Sequence, residues 1–397
     1  MGRGRDTLPL HPIPKTKPGR LHKSLDTPLA VVCDNRLAYS LIALFLATTT
    51  AFAQPARQTH PSNTTENLRG VSAVSQQIAW ASGTHGIYLR TTDAGRTWIP
   101  AQVSDATALD FRGVVAFSAD EAFLMSAGPG DQSRIYHTTD AGQHWQLQFT
   151  NSNPKAFFDS IAFWDPTHGI VLGDPIPDNS GQLKFQLLLT TDGQSWTPVP
   201  PSQLPPALVG EGAFAASNTC LAILPNNDPN IWFATGGKAA RVFHSPDRGR
   251  TWQVFNTPIT HGPDSAGIFS IAFRDGNHGV IAGGDYKHPD QDGLNLAFTS
   301  DAGKTWTVSR IFPQSYYSAV AYDRKHRDPR ANTLGEDQAR IRLFIAAPKF
   351  IYDFRPPKDP TRISPPKKSG IQFNALSPYP TGGALFVGPK GSVATIP

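Results

Sequence analysis

The sequence predicts an all-β protein folded as a seven-bladed β-propeller, and three patterns predict it. A turn phrase that ends in Trp recurs at intervals of 47, 51, 56 and 54 residues. Short apolar runs typical of strands flank each copy of the phrase. A further apolar run with a small residue near its start recurs seven times. Repeats of this length, each supplying four short strands, are typical of a β-propeller.

The turn phrase has the form Ser/Thr-x-Asp-x-Gly-x-Thr-Trp, and the third of its five copies is one residue short. Its Asp carboxylate can accept hydrogen bonds from backbone N–H groups of its own turn, and its Gly permits a positive φ. Its Trp buries a large ring on the returning strand. We therefore predict structural, non-catalytic roles for these pairs: Asp93 and Trp98, Asp140 and Trp145, Asp192 and Trp196, Asp247 and Trp252, Asp301 and Trp306.

These five copies resemble the Asp-box, or BNR repeat, of propellers such as sialidases, sortilin-type receptors and the photosystem II assembly and stability factors. The resemblance covers 69–306 by motif and the rest of the chain by pattern. Similarity to the assembly factors implies seven blades and work in protein binding. Similarity to sialidases implies glycoside hydrolysis with an arginine triad, a Tyr nucleophile and an acidic group. Exported relatives of this kind are also loosely labelled oxidoreductases, but the sequence has no cofactor motif for that chemistry.

One domain, 54–397, is predicted to hold all seven blades. Each blade opens on a strand such as Phe111-Arg-Gly-Val-Val-Ala-Phe117. The predicted blades are 68–104, 110–150, 157–200, 210–258, 267–311, 316–365 and 371–397. The last blade has no fourth strand of its own, and an open strand edge favours aggregation. We therefore predict that residues within 54–66 supply an N-terminal strand that closes blade seven.

The first 53 residues are predicted to be a leader with a signal peptide. Arg36 precedes the apolar run 37–52, and Ala51-Phe-Ala53 resembles a cleavage site, which predicts a periplasmic or secreted protein cleaved after Ala53. An uncleaved anchor stays open as the alternative; after cleavage we expect no membrane span. Removing 1–53 removes seven basic and three acidic residues, so the formal net charge falls from +5 to +1. That charge gives no argument for a nucleic-acid partner. Cys220 would then be the remaining cysteine, which excludes an intramolecular disulfide.

The first strands of a propeller line its channel, so the residues that open them should surround one mouth. That predicted ring is Arg69, Arg112, Asp159, Glu211, Phe269, Tyr317 and Phe373. The next ring inward is small: Gly70, Gly113, Ser160, Gly212, Ser270, Ser318 and Asn374. Loops between second and third strands should add Asp174, Lys238, Asp285 and Tyr286 on the same face. The charged members either pair with one another and close the channel, or bind a ligand.

Other chemistry is weakly supported by the sequence. No zinc spacing, phosphate loop or calcium loop is present, so we expect no metal and no cofactor. We expect a monomeric, non-catalytic propeller that binds a protein or glycan partner through the channel mouth. Envelope assembly is one process in which such binding would serve. The alternative is a sialidase-like glycosidase, for which the mouth has the right residue types. Two features argue against it. Sialidases have six blades where this sequence predicts seven, and no Phe-Arg-Ile-Pro segment precedes the first turn phrase.

Overall fold

A computed structural model describes residues 57–309, 315–326, 342–348, 350–354 and 370–397. The predicted signal peptide and its cleavage site after Ala53 lie outside these residues. Within the described ranges, no helix has the length and apolar character needed to cross a membrane. Regular structure there is almost entirely β, with a few single-turn 3-10 helices such as Gly130–Gln132 and Pro389–Gly391.

The strands alternate with short turns along the whole described chain, and neighbouring strands pair antiparallel. In chain order they are β1 (Gln58–His60), β2 (Leu68–Ala73), β3 (Ala79–Gly83), β4 (Ile87–Thr91), β5 (Ile99–Gln102), β6 (Phe111–Ala116), β7 (Ala122–Ser126), β8 (Arg134–Thr138), β9 (Gln146–Thr150), β10 (Phe158–Asp165), β11 (His168–Pro177), β12 (Leu183–Thr190), β13 (Thr197–Pro198), β14 (Glu211–Gly212), β15 (Leu221–Ile223), β16 (Ile231–Ala234), β17 (Gly236–Gly237), β18 (Arg241–Ser245), β19 (Gln253–Asn256), β20 (Ala266–Phe273), β21 (Gly279–Asp285), β22 (Leu296–Thr299), β23 (Thr307–Val308), β24 (Ala319–Tyr322), β25 (Leu343–Ala346), β26 (Ile351–Phe354), β27 (Ala375–Pro378), β28 (Ala384–Gly388) and β29 (Ser392–Ile396).

These strands form seven sheets, which are the seven blades of a propeller. Blades one to three are β2–β5, β6–β9 and β10–β13, and blade four is β15, β16, β18 and β19. Blade five is β20–β23, extended at its inner edge by β17 and β14. Blade six has β24–β26 among the described residues, and blade seven is β27–β29 with β1. The predicted seven-bladed all-β fold is confirmed.

The N-terminal strand closes the ring, as the sequence predicts. Strand β1 pairs antiparallel with β29, so the fourth strand of blade seven comes from the start of the domain. Its His60 Nε2 also lies 3.0 Å from the Thr395 hydroxyl. On the inner side, the Asn374 amide of blade seven donates to the Leu68 carbonyl of blade one at 2.8 Å. Closure by the chain's own strand removes the exposed edge that an open blade would present.

The apolar core lies between adjacent blades, not inside the channel. Trp232 of blade four stacks on Phe273 of blade five with centroids 3.8 Å apart and ring planes at 10°. Phe123 of blade two lies 4.2 Å from Phe163 of blade three. Comparable buried clusters join the other neighbouring blades. Because each blade buries both faces this way, polar functional groups are left to the loops and the channel.

Each turn phrase joins a third strand to a fourth and is held together by its own Asp. In the first copy, the Thr91 hydroxyl and the Thr97 N–H both donate to Asp93 Oδ1 at 2.9 Å. Ala94 and Gly95 have φ of +64° and +77°, and Gly95 N–H donates to the Thr91 hydroxyl. The same Asp bonds recur in the other copies, at Asp140, Asp192, Asp247 and Asp301. These hydrogen bonds match the structural role predicted for the carboxylates.

The first strand of blade four differs from the prediction. Residues 210–216 were expected to form it, but Glu211–Gly212 is the separate strand β14, which pairs with Gly236–Gly237 in the loop between β16 and β18. The true first strand is β15, whose Leu221 lies opposite Phe233. The segment 210–216 has the same alternation of small and larger residues as a first strand. However, its Gly residues permit close backbone approach, and the segment crosses the channel mouth instead.

Candidate binding site at the channel mouth

A cavity of about 1110 Å³ opens at one mouth of the channel. Its volume is at the upper end of the range for small-molecule sites, so a side chain or a short peptide segment would fit. Charged and aromatic residues from several blades line it, and those that carry the argument are Arg69, Arg112, Asp159, Asp174, Phe214, Phe269, Tyr286 and Tyr316. The predicted mouth face therefore holds a substantial cavity.

β-Bulges present four of the lining side chains. The pairing of first and second strands shifts register at the same place in blades one, two, three and five. The skipped residues are Arg69, Arg112, Asp159 and Phe269. A bulge changes the direction of its side chain relative to the regular pleat. Here it lets the preceding apolar residue stay in the core while the bulged residue lines the cavity.

The two arginines have different surroundings. Arg112 donates from Nε to Asp110 Oδ2 at 2.7 Å and from a terminal nitrogen to the Ala215 carbonyl at 3.1 Å. Arg69 is half-buried, and among the described residues nothing accepts a hydrogen bond from its Nε. Burial and the nearby Arg112 charge lower the pKa of Arg69, although the group remains a cation. The cavity thus holds one paired guanidinium and one whose Nε donor has no acceptor among the described residues.

Two carboxyl groups lie beside each other on blade three. Asp159, on β10, is 1% exposed, and its Oδ2 has no hydrogen-bond partner among the described residues. Asp174, on β11, accepts a hydrogen bond from the Ala213 N–H at 2.9 Å. Burial, and then the Asp174 charge, raise the pKa of Asp159 well above its usual range. Burial also raises the pKa of Asp174, to about 6. The pair therefore holds a proton at mildly acidic pH.

An aromatic wall, Phe214, Phe269, Tyr286 and Tyr316, forms another side of the cavity. Phe214 stacks on Phe269 with centroids 4.1 Å apart, and the edges of Tyr286 and Tyr316 meet Phe269 at 6.1 Å and 4.9 Å. Phe214 reaches this position because Gly236 has no side chain: a Cβ there would lie 2.2 Å from the Phe214 ring. Aromatic faces of this kind suit apolar or cationic ligand groups.

Glu211 lies in the cavity wall, but its carboxylate is a structural group. Its side chain is completely covered and accepts two hydrogen bonds from the Arg241 guanidinium, one to each oxygen. The Thr235 hydroxyl and the Leu208 N–H donate to the same carboxylate at 2.6 Å and 2.8 Å. These four donors fix the segment 208–212 across the mouth. Glu211 is thus paired, but with Arg241 and not with another charged residue of the predicted ring.

The remaining predicted residues divide between the cavity and its surroundings. Phe373 lines the cavity, but Tyr317 is buried in the core, where its ring lies 6.0 Å from that of Tyr352. The neighbouring Tyr316 lines the cavity instead. Asp285 caps its own turn by accepting from the Lys287 N–H at 2.9 Å.

Lys238 extends outward from the rim. Its Nζ lies 3.8 Å from Asp264, and both side chains are exposed. Six of the seven ring residues predicted by spacing line the cavity, whereas the lining residues Phe214 and Tyr316, and Asp110 that bonds Arg112, were not predicted. The Tyr316-Tyr317 doublet was the available signal for Tyr316, since the pattern was ambiguous by one position there.

Below the cavity, small polar residues join neighbouring blades around the channel. Ser160 Oγ donates to the Asn218 carbonyl at 3.0 Å, and the Thr219 and Ser270 hydroxyls lie 2.7 Å apart. Ser318 Oγ donates to the Phe373 carbonyl. In blade four, Asn218 and Thr219 take the place that the sequence assigned to Gly212. The channel floor is therefore a hydrogen-bonded layer that supports the groups above it.

Comparisons with known proteins identify the architecture. Among solved structures the chain is similar to U3-55K, with a TM-score of 0.57, 12% identity and coverage of 86% of this chain and 98% of that one. The chain is a β-propeller. It is also similar to the GH74 xyloglucanase from Xanthomonas campestris (TM-score 0.53, 16% identity, 86% of this chain and 53% of that chain). A third similar structure is YCF48 from Cyanidioschyzon merolae (TM-score 0.42, 15% identity, 86% and 98%).

No family model matches this propeller, and no curated protein matches it. At these identities the structural likenesses establish the fold, while function depends on the site itself. Within the described ranges, no group of three or more His, Cys, Asp or Glu side chains is arranged to hold a metal ion. The chemistry that the mouth offers is hydrogen bonding, charge and aromatic contact.

Proposed function

We propose that this propeller is an exported, non-catalytic binding protein whose channel mouth holds a segment of a partner protein. One observation carries the proposal: the Arg69 guanidinium lies half-buried in the cavity with an Nε that no described residue accepts from. A buried donor without a partner costs stability, so a ligand acceptor that satisfies it gains that energy on binding. A carboxylate is the best match, because it accepts the guanidinium bidentately.

The rim of the mouth supports a protein partner over a free small molecule. Val209 is 85% exposed, and Leu208, Tyr286 and Leu294 are also exposed. The loop that carries Tyr286 and Leu294 is held to the loop before β20 by a backbone hydrogen bond from the Thr260 N–H to the Leu294 carbonyl at 3.0 Å. Exposed apolar groups around a polar cavity are typical of protein interaction surfaces. If the leader directs export, the partner is an envelope or extracellular protein.

A peptide-display selection tests this function. Random peptides selected on the immobilised propeller should be enriched in acidic and apolar residues, and their capture should fall at least about tenfold with Arg69→Gln. Arg96→Gln, on an exposed turn of the opposite face, is the matched control. Enrichment that Arg69→Gln leaves unchanged would place the interface elsewhere.

Glycoside hydrolysis is the second candidate, and the Asp159 and Asp174 carboxyls favour it. Such catalysis uses two carboxyl groups in one cavity, one of them with a raised pKa so that it can act as the general acid, and both Asp159 and Asp174 have raised pKa values. Glu211 would not take part, because Arg241 occupies it. A panel of glycoside substrates should give no turnover above that of an Asp159→Asn/Asp174→Asn double variant. Turnover that this double variant abolishes would establish the enzyme and reject the binding-only function.

A further inference from the structure

The Asp159 carboxyl is the most deeply buried unsatisfied acid in the cavity wall. Its side chain is almost fully buried, Oδ2 has no partner among the described residues, and the bulge in β10 places it in the wall. A buried polar atom without a partner is uncommon in folded proteins, and each one calls for an explanation. Here the residue itself lines a cavity, so a bound ligand is the available source of the missing donor.

The groups that face this carboxyl do not neutralise it. Asp174 faces it from β11 and adds a second acid, and the nearby Ala215 N–H, in the segment that crosses the mouth, favours the ionised form and lowers the pKa. Arg112 faces it from β6, but that guanidinium is already bonded to Asp110 and to the Ala215 carbonyl.

The Cys220 thiol is the remaining titratable neighbour, on the side of blade four. Its pKa is raised far above neutral by burial and by Asp159, so it stays uncharged. Arg69 lies near Arg112, and the two guanidinium charges repel each other. The Arg112 charge therefore offsets the acid pair only in part, and among the described residues no cation forms an ion pair with Asp159 or Asp174.

We propose that the Asp159–Asp174 pair is a second subsite of the mouth, which binds an ammonium or guanidinium group of the ligand. The inference rests on the proposed binding function and names a recognition element that Arg69 does not supply. A cation there would give Oδ2 the donor it lacks. Phe214 and Phe269 line the same cavity, and their faces attract a cation. The ligand segment would therefore present a basic group to blade three and an acidic group to blade one.

Proton release on binding distinguishes specific binding at this subsite from nonspecific binding. A bound cation favours the ionised form of both carboxyls, so binding must expel the proton that the pair holds. Affinity for a cation should then rise with pH. Affinity of the Arg69 subsite for an anion should fall over the same range, because ionised Asp159 and Asp174 repel it.

Two aromatic probes that differ in charge test the two subsites separately. These are 2-phenylethylamine, for the acid pair, and 3-phenylpropionate, for Arg69; both are titrated by NMR into the propeller at about pH 5 and about pH 8. The amine should bind with a Kd on the order of 1 mM at the higher pH, and at least about tenfold more weakly at the lower pH. Asp159→Asn and Asp174→Asn should each weaken the amine at least about tenfold while leaving the anion bound.

Asp131→Asn is the matched control, since Asp131 is exposed on the loop between β7 and β8 and lies outside the cavity wall. Retained binding of 3-phenylpropionate shows that each Asn variant is folded. Amine binding that is absent, or that ignores both pH and the Asn variants, overturns the second subsite while anion binding upholds the proposed function. If neither probe binds, both proposals fail.

Discussion

Aspartate carboxylates on the two faces of the propeller, the face with the channel mouth and the face with the turn phrases, have opposite surroundings. In the turn phrase, Asp140 accepts hydrogen bonds from the His144 N–H and the Thr138 hydroxyl, and these lower its pKa to about 2. At the mouth, Asp159 is buried with an unpartnered oxygen, and its pKa is raised. Residue type and position near a strand end are similar; the supply of N–H and O–H donors is not.

This difference separates groups that build the fold from groups that await a ligand. The turn carboxylates fill their acceptor capacity within a few residues of chain, so nothing remains for a partner. The mouth contains both kinds: Glu211 is saturated by Arg241, whereas Asp159 and Arg69 are not saturated. Unsatisfied burial, more than charge alone, therefore marks the candidate binding groups.

Removing the N-terminal strand should have the largest effect on stability, because the structure of both faces of the propeller depends on closure of the ring. Deleting residues 1–66 removes β1 and exposes the edge of β29. We expect a loss of unfolding free energy on the order of 3–5 kcal/mol from the lost ladder and packing, together with aggregation. Urea unfolding followed by tryptophan fluorescence measures it. Deletion of residues 1–56, which keeps β1, is the control and should match the longer chain; equal stability of both deletions would refute closure by this strand.

Breaking the buried ion pair of the mouth should have the next largest effect. Arg241→Ala leaves the covered Glu211 carboxylate without its cation, and a loss of about 3–5 kcal/mol is expected in urea unfolding. The double variant Glu211→Gln/Arg241→Met should recover most of that loss, because no buried charge is left alone. A single variant as stable as the parent would mean that Glu211 is free to serve a ligand.

The two features that these experiments test, closure of blade seven and the Glu211–Arg241 pair, differ in how well the sequence predicts them. Closure of blade seven could be predicted because strands were counted and an edge was left over. The Glu211–Arg241 pair could not, because it joins the insertion 205–216 to the start of β18, and the approach of that insertion depends on its pairing with Gly236 and Gly237. Spacing gave the mouth residues within one position. It failed at Tyr316 and in blade four, where a bulge or an insertion shifts the register and only packing decides the side-chain direction.

Carboxyl groups on the two faces of the propeller should contribute to the pH dependence of stability with opposite signs. Burial raises the pKa of Asp174 in the folded protein to about 6. The stability that its protonated carboxyl contributes is fully present below about pH 4 and is lost as the pH rises through about 6. Asp93 and Asp140 have lowered pKa values, so their contribution is present above about pH 4 and is lost as pH falls toward about 2.

Asp174→Asn isolates the mouth contribution to that dependence. It should stabilise the protein by about 1–3 kcal/mol at neutral pH and leave it unchanged near about pH 4. Urea unfolding across this range measures the difference, with Asp131→Asn as the control. A variant less stable than the parent at neutral pH would show that the Ala213 hydrogen bond outweighs the cost of burying the charge.

The smallest expected effect is at the opposite end, where Asp301→Ala removes one turn carboxylate. It deletes the acceptor of the Thr305 N–H and of the Thr299 and Thr305 hydroxyls, and a loss of about 1–2 kcal/mol is expected because these donors can rebond to water. Binding of both aromatic probes should be unchanged, whereas Arg69→Gln should weaken the anionic probe without loss of stability. If Asp301→Ala weakened probe binding as much as Arg69→Gln does, the separation between fold-building and ligand-directed carboxylates would not hold, and the turn face would have to be reconsidered as the interface.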